Sequence, residues 1–441
     1  MAAFLLPDSP HRFSMKILTL AGVLGLLLPL ASPALAATLA APAARADTEA
    51  HWVAAWATAL QPIPQRAELP PLYRAPEVAG RTVRQIVYPT VSGHVVRIRV
   101  SNEYGRTALV IRGLRIARSM GGASIDPARD VSVTFGGKQG VSVPAGADVE
   151  SDPVSIEIAA GTPYAISSYM GQEQTMVAWH RVASQINYVS SPGDHVADAS
   201  GAGWRQRFTQ YAWVSGLSVE APGATTIVAI GDSITDGMRS TINRNQRWPD
   251  ELARRLAGER EQSIGVVNLG ISGNRLLSDS PCYGEALEKR FERDALAQPG
   301  VRAVVLLIGI NDINFAAMPP HAGLDCDFPH TQVTAQALID GYKRLIAEAR
   351  RRGVRVYGAT LTPASLPPQR EAIRLAVNNW IRTGGAFDGI VDFDGALRDP
   401  AQPDRLRTAY DSGDHVHPGD RGYAAMAQAV PHAVVAAAAG N

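Results

Sequence analysis

Two textures divide the chain. In the first, apolar and polar residues alternate in short runs: Val95-Val96-Arg97-Ile98-Arg99-Val100, Val131-Ser132-Val133-Thr134-Phe135, Val141-Ser142-Val143, Val154-Ser155-Ile156-Glu157-Ile158 and Tyr164-Ala165-Ile166-Ser167-Ser168-Tyr169. Period two marks half-buried strands, and the Gly, Pro and Asp clusters between the runs mark turns. Short strands at even spacing predict an antiparallel β-sandwich or jelly roll. Ala221-Pro222-Gly223-Ala224 reads as the linker out of it. Downstream the pattern changes to continuous apolar runs: Thr226-Ile227-Val228-Ala229-Ile230, Val266-Val267, Val304-Val305-Leu306-Leu307-Ile308, the stretch from Val354 to Leu361, and Ile390-Val391-Asp392-Phe393. Helical spacing fills the intervals from Trp248 to Leu256, Thr334 to Arg352, Gln369 to Thr383 and Gly419 to Ala438. Such alternation predicts an α/β domain whose parallel sheet is covered on both faces. Arg350-Arg351-Arg352 suits a helix C-terminus and needs no phosphate ligand. The expected organisation is a leader over residues 1–46, a β-sandwich-like accessory domain over 47–220 and the α/β domain over 221–441.

Chemistry concentrates where apolar runs end. The run from Thr226 breaks at Gly231-Asp232-Ser233-Ile234-Thr235-Asp236-Gly237, a strand-to-helix turn. A serine there stands clear of the sheet, and the N–H groups of the opening helix point at whatever its hydroxyl attacks. The alternative is a serine that merely caps the helix, and Gly-Asp-Ser alone does not separate the two. Asp414-His415-Val416-His417-Pro418 supplies what a nucleophilic serine requires, an imidazole base and a carboxylate to orient it. His417 is read as the base and Asp414 as its orienter; its place directly beside Asp414, where the two side chains point apart, makes His415 the weaker candidate. Two further turns, Gly270-Ile271-Ser272-Gly273-Asn274 and Gly309-Ile310-Asn311-Asp312, also follow apolar runs. Strand ends of a doubly wound sheet converge on one crevice, where a Gly N–H and an Asn amide can join the Ser233 N–H as oxyanion donors. Asp232 and Asp312 are read as turn carboxylates without a part in the reaction.

These four blocks resemble the SGNH hydrolase superfamily, the GDSL esterases and lipases. The resemblance covers Thr225 to the C-terminus and assigns Ser233 as nucleophile, Gly273 (with Gly270 as fallback), Asn311 and the Asp414–His417 pair. Ile234 stands where the name-giving motif has Leu. The resemblance implies a flavodoxin-like three-layer αβα fold, in some members preceded by a β-domain. It also implies a carboxylic ester hydrolase working through an acyl-enzyme without a cofactor. A carbohydrate O-deacetylase or an acyltransferase would use the same triad; a catalytically dead binding protein is the reading from another class.

The remaining features narrow the setting. Lys16 followed by the apolar run from Ile17 to Leu28 and then small residues reads as an export signal, cleaved after Ala36 or Ala46, with Pro29 and Pro33 opposing a membrane span. Export predicts a disulfide between Cys282 and Cys326, the two cysteines of the chain. It would tie loops flanking the crevice of a secreted or periplasmic enzyme. His321, Cys326 and His330 match no common zinc spacing, so no metal is expected. A net charge of +1 over 441 residues gives no case for nucleic acid. The expected partner is a small-molecule or polysaccharide ester, and the oligomeric state is left open. Trp52 and Trp56 are read as packing in preference to a sugar platform. Phe315, Met318, Pro319, Pro320 and Phe328 are the expected pocket wall or lid.

Overall fold

Alternation is carried directly into burial in the first half. Val154–Ile158 and the centre of Gly93–Ser101 bury every second residue, as sheets with one face on a core do. One antiparallel sheet runs in the order Trp52–Ala57, Val214–Glu220, Gly93–Ser101, Asp148–Glu150, with Val154–Ile158 also on Gly93–Ser101. The other runs Gln206–Phe208, Asn187–Pro192, Arg81–Val87, Tyr164–Met170, Leu109–Gly121, Ser124–Val133, and Val141–Val143 pairs with Leu109–Gly121. A common core including Val83, Val96, Ile98, Ile111, Ile116 and Ile166 lies between them, which makes this half a β-sandwich. Trp56 is buried edge-on against Tyr211 at 4.9 Å, and Trp52 lies under the Arg97 guanidinium at 4.6 Å. Both tryptophans pack. These relations come from a computed structural model that describes residues 50–66, 68–204, 206–259, 263–315 and 317–439; the expected leader and its cleavage positions lie outside them.

The second half is a five-stranded parallel sheet in the order Ile264–Gly270, Thr225–Gly231, Val301–Leu307, Arg355–Ala359, Gly389–Val391, with helices on both faces. That is the 2-1-3-4-5 order of flavodoxin-like folds. Its strands are almost wholly buried, which is why they read as unbroken apolar runs. Two expected elements differ. The helix expected from Gly419 to Ala438 is two helices, Asp420–Ala429 and His432–Ala439, because Pro431 has no N–H to continue the ladder and holds Val430 extended. Phe393 belongs to a helix, with Asp392 capping the N–H of Gly395.

Ala50–Asn441 form one compact unit. At the junction the Ala54 N–H donates to the Pro299 carbonyl at 2.9 Å, and Thr90 Oγ1 bonds the main chain of Val266 in both directions at 3.1 Å. The Cys282–Cys326 disulfide forms, with its Cα atoms 5.1 Å apart. Both cysteines pack into the β-sandwich core beside Tyr73, and Gln61 bonds the Cys282 carbonyl. The bridge therefore fastens loops of the α/β half onto the sandwich. No helix among the described residues is long and apolar enough to cross a membrane.

Candidate active site

The central strand Thr225–Gly231 pairs Gly231 with Gly270 on one side and Leu307 on the other, so three strands finish level. Glycine is needed at that level. A Cβ on Gly231 would strike the Leu307 carbonyl, and one on Gly270 would strike the main chain of Asp236. Close approach brings the turns after all three strands into one place. Asp232 opens the short helix Ser233–Asp236 by accepting the Ile234 N–H at 3.1 Å, and Gly237 closes it at φ +91°. Ser233 sits at the first helical position, its side chain nearly buried.

Across the crevice the segment from Asp411 to Pro418 delivers the histidine. Ser233 Oγ is 2.8 Å from His417 Nε2, and His417 Nδ1 is 2.9 Å from Asp414 Oδ2. Asp414 Oδ1 accepts the N–H groups of Val416 and His417, so the carboxylate is set by its own loop. Burial opposes its charge, yet these bonds from His417 and the backbone hold the carboxyl well below the usual range. His415 is turned away, at φ +65°, exposed and bonded through Nδ1 to Asp411 Oδ2 at 2.6 Å.

Gly273 adopts φ +84°, and its missing side chain makes room for the Tyr283 ring. Among the described residues neither its N–H nor that of Ser233 has an acceptor. The Gly270 N–H is already given to Asn268 Oδ1 at 3.0 Å, which leaves the fallback glycine without a free donor. Asn311, at the start of helix Ile310–Phe315, gives one amide hydrogen to the Asn274 carbonyl at 3.0 Å and keeps the other. Phe315 stacks on Tyr283 at 5.4 Å. Met318 and Phe328, by contrast, are exposed. A cavity of about 430 Å³ opens near this loop against the helix Pro368–Thr383, lined by Ile313, Ala317, Val333, Arg370 and Ile373. None of these is a triad residue.

Buried charge frames the crevice from below. Arg290, fully buried, donates to the carbonyls of Gly231 and Leu269, to Asn274 Oδ1 and to Asp294, all at 3.0 Å. It thus ties two strand ends to the residue that holds Asn311. Asp312 accepts the N–H groups of Leu276 and Leu277 at 2.8 and 3.0 Å, and burial pushes its carboxyl up to about 6. Burial, aided by Asp312 and Asp236, pushes Asp232 up to about 7, and its Oδ2 has no partner among the described residues. Both act on the fold of the turns. Arg239, Asn274 and Arg290 carry no local sequence signal. Arg239 Nε reaches Asp414 Oδ2 at 3.0 Å from a left-handed backbone, and Arg290 serves the site from a helix that reads as ordinary surface.

A doubly wound α/β sheet with a serine, an imidazole and a carboxylate in hydrogen-bond sequence at its strand ends has the arrangement of a serine hydrolase. Residues 229–425 match the GDSL-like lipase/acylhydrolase family, and this segment belongs to it. Solved structures similar to the same half include a lipolytic protein of the G-D-S-L family from Desulfitobacterium hafniense, 21% identical, covering 46% of this chain and 97% of its own at a TM-score of 0.35. A GDSL-like lipase from Bacteroides thetaiotaomicron is 17% identical over 48% of this chain and 89% of its own, TM-score 0.33. An acetyl xylan esterase from Geobacillus stearothermophilus is 23% identical over 47% and 94%, TM-score 0.35. No curated protein sequence matches the chain.

Proposed function

We propose that the protein is an exported serine esterase that hydrolyses carboxylic esters through an acyl-enzyme. The observation that carries this reading is the unbroken sequence Ser233 Oγ, His417 Nε2, His417 Nδ1, Asp414 Oδ2 with links of 2.8 and 2.9 Å. Ser233 Oγ attacks the acyl carbonyl while its proton passes to His417 Nε2. The oxyanion is held by the N–H groups of Ser233 and Gly273 and the spare amide hydrogen of Asn311. His417 returns the proton to the leaving alcohol, and a water molecule repeats the sequence to release the acid. Asp414, kept ionised, faces the imidazolium formed at each step. The disulfide supports export, since such bonds persist in oxidising compartments. In this reading residues 1–46 are a cleaved leader, 47–220 an accessory β-sandwich and 221–441 the hydrolase domain.

The test is a chain-length series of chromogenic esters run beside acetylated xylan and pectin oligomers, with Ser233→Ala as control. Saturable hydrolysis lost in the control supports the reading. Hydrolysis of the oligomers well above that of the simple esters makes it a carbohydrate deacetylase, and transfer to added alcohols outrunning release of acid makes it an acyltransferase. Failure of Ser233 to react with a fluorophosphonate overturns the esterase reading.

A further inference from the structure

His180 lies at the floor of the β-sandwich half, after the short strand Ala178–Trp179. Its main chain is bridged in both directions to Tyr211, and its ring Nδ1 sits 3.0 Å from the Ala59 carbonyl. The sandwich therefore fixes the ring on its own side. The other nitrogen, Nε2, lies 3.1 Å from the Val182 carbonyl and 2.9 Å from Oδ1 of Asp236, the last residue of the nucleophile helix. Asp236 is committed on its second oxygen as well. Oδ2 accepts both the N–H of Ser272 at 2.8 Å and its hydroxyl at 2.6 Å. Ser272 immediately precedes Gly273. All three residues are buried, at 3%, 1% and 2% exposure.

We propose that His180 is a positioning residue for the esterase site: through Asp236 it holds the Ser272–Gly273 turn, and so aims the Gly273 N–H at the oxyanion. The geometry leaves Asp236 little freedom to find another arrangement. Its N–H is bonded to the Asp232 carbonyl at 2.9 Å, and its main chain is pressed against Gly270, where there is no room even for a Cβ. The carboxylate is thus held from the main-chain side by the nucleophile helix, and its two oxygens divide between the sandwich and the oxyanion turn. A buried carboxylate oxygen that loses its donor must find a new partner, and any shift of the carboxylate toward one is carried to the Ser272 N–H and hydroxyl bonded to its other oxygen. The sandwich would then complete the active site from behind, with no contact to substrate. The inference rests on the serine-esterase reading and on Gly273 as a donor.

The experiment compares His180→Leu and His180→Gln in the full chain. Active sites are counted by fluorophosphonate titration, so that kcat is expressed per functional serine. His180→Leu is expected to lower kcat about ten- to a hundredfold, the cost of a misplaced catalytic group, with KM unchanged. His180→Gln, which restores one donor to Asp236, recovers most of the loss. A purely structural role moves the yield of titratable enzyme and leaves kcat per site normal for both variants; that result overturns the proposal. If His180→Leu gives no folded protein, Ser272→Ala decides. It removes one of the two bonds from the turn to Asp236 and is expected to lower kcat alone, whereas a normal kcat there overturns the proposal too. Ser233→Ala run in parallel separates the two levels: retained activity in that control rejects Ser233 as the nucleophile on which this inference rests, whereas lost activity there with normal kcat in the His180 variants rejects the role of His180 alone.

Discussion

The two halves of the molecule bury polar side chains to opposite ends. In the sandwich, Arg84 is fully buried and gives its guanidinium to Ser167 Oγ, to the carbonyls of Ala123, Asp198, His195 and Val196, and to the face of Trp204 at 4.1 Å. It closes loops over an antiparallel sheet. In the α/β half the buried polar groups, Asp232, Asp236, Asp312, Asn274 and Arg290, collect beneath the ends of three parallel strands. The difference follows from sheet type. Antiparallel strands spread their turns over both ends of a sandwich, whereas parallel strands place every C-terminal turn on one edge, where ligands bind. Around Arg84 buried polarity closes loops, whereas in the α/β half it collects beneath the turn that carries Ser233.

That contrast is open to test, beginning with the largest expected effect. Ser233→Ala is expected to lower turnover by about four orders of magnitude or more and to abolish fluorophosphonate labelling, with thermal stability retained. Labelling that persists at another serine would move the site elsewhere. His417→Ala is expected to be comparably damaging, while His415→Ala, whose side chain serves Asp411, stays close to wild type in a steady-state assay. A crippled His415→Ala would invert the assignment. Asn311→Ala is expected to lower kcat by about a hundredfold, roughly 3 kcal/mol, with little change in KM; single-turnover acylation and melting measured on one preparation show whether the loss is chemical.

The sandwich gives the opposite signature. Arg84→Ala orphans several buried carbonyls and is expected to cost about 3 kcal/mol of stability with kcat per titrated site unchanged, read by denaturant unfolding beside active-site titration. Opening the Cys282–Cys326 bridge by Cys282→Ser and Cys326→Ser together is expected to behave likewise, at up to about 4 kcal/mol for a closed loop of this length. A fall in kcat in either case would break the division between the halves. The smallest expected effect concerns Asp232, whose carboxyl burial lifts to about 7. From about pH 4 to pH 7 the native state holds a proton that the unfolded chain has released, so stability falls as pH rises through that window. Asp232→Asn keeps a helix cap and is expected to flatten the melting temperature against pH there. Part of the slope remains from Asp312, which titrates near 6 in the same direction. An unchanged slope would show that Asp232 is ionised throughout.

Much of this could be read along the chain, because the determining signals are local. Period two in Val154–Ile158 and unbroken apolarity in Thr225–Gly231 separate half-buried from fully buried strands without any partner being known. Gly-Asp-Ser at a strand end, Gly-Ile-Asn-Asp at another and Asp-His three residues apart mark turns by residue type and spacing alone, and Ser233, His417 and Asp414 do come within hydrogen-bond distance. Pro431 was also in plain view, and its effect on the last helix is local; helical spacing on both sides of it obscured the break.

The sequence by itself determined the strand types, the turns at the strand ends and the cysteines available for a bridge, since each depends on neighbours within one element. Tertiary structure alone decided that the bridge rests on the sandwich core, that Gly270 has spent its N–H while Gly273 has not, and that Arg290 gathers two strand ends. It alone brought His180 to Asp236, fifty-six positions further along the chain. Those outcomes depend on which surfaces meet when the sheets close, and no periodicity along a single element encodes them.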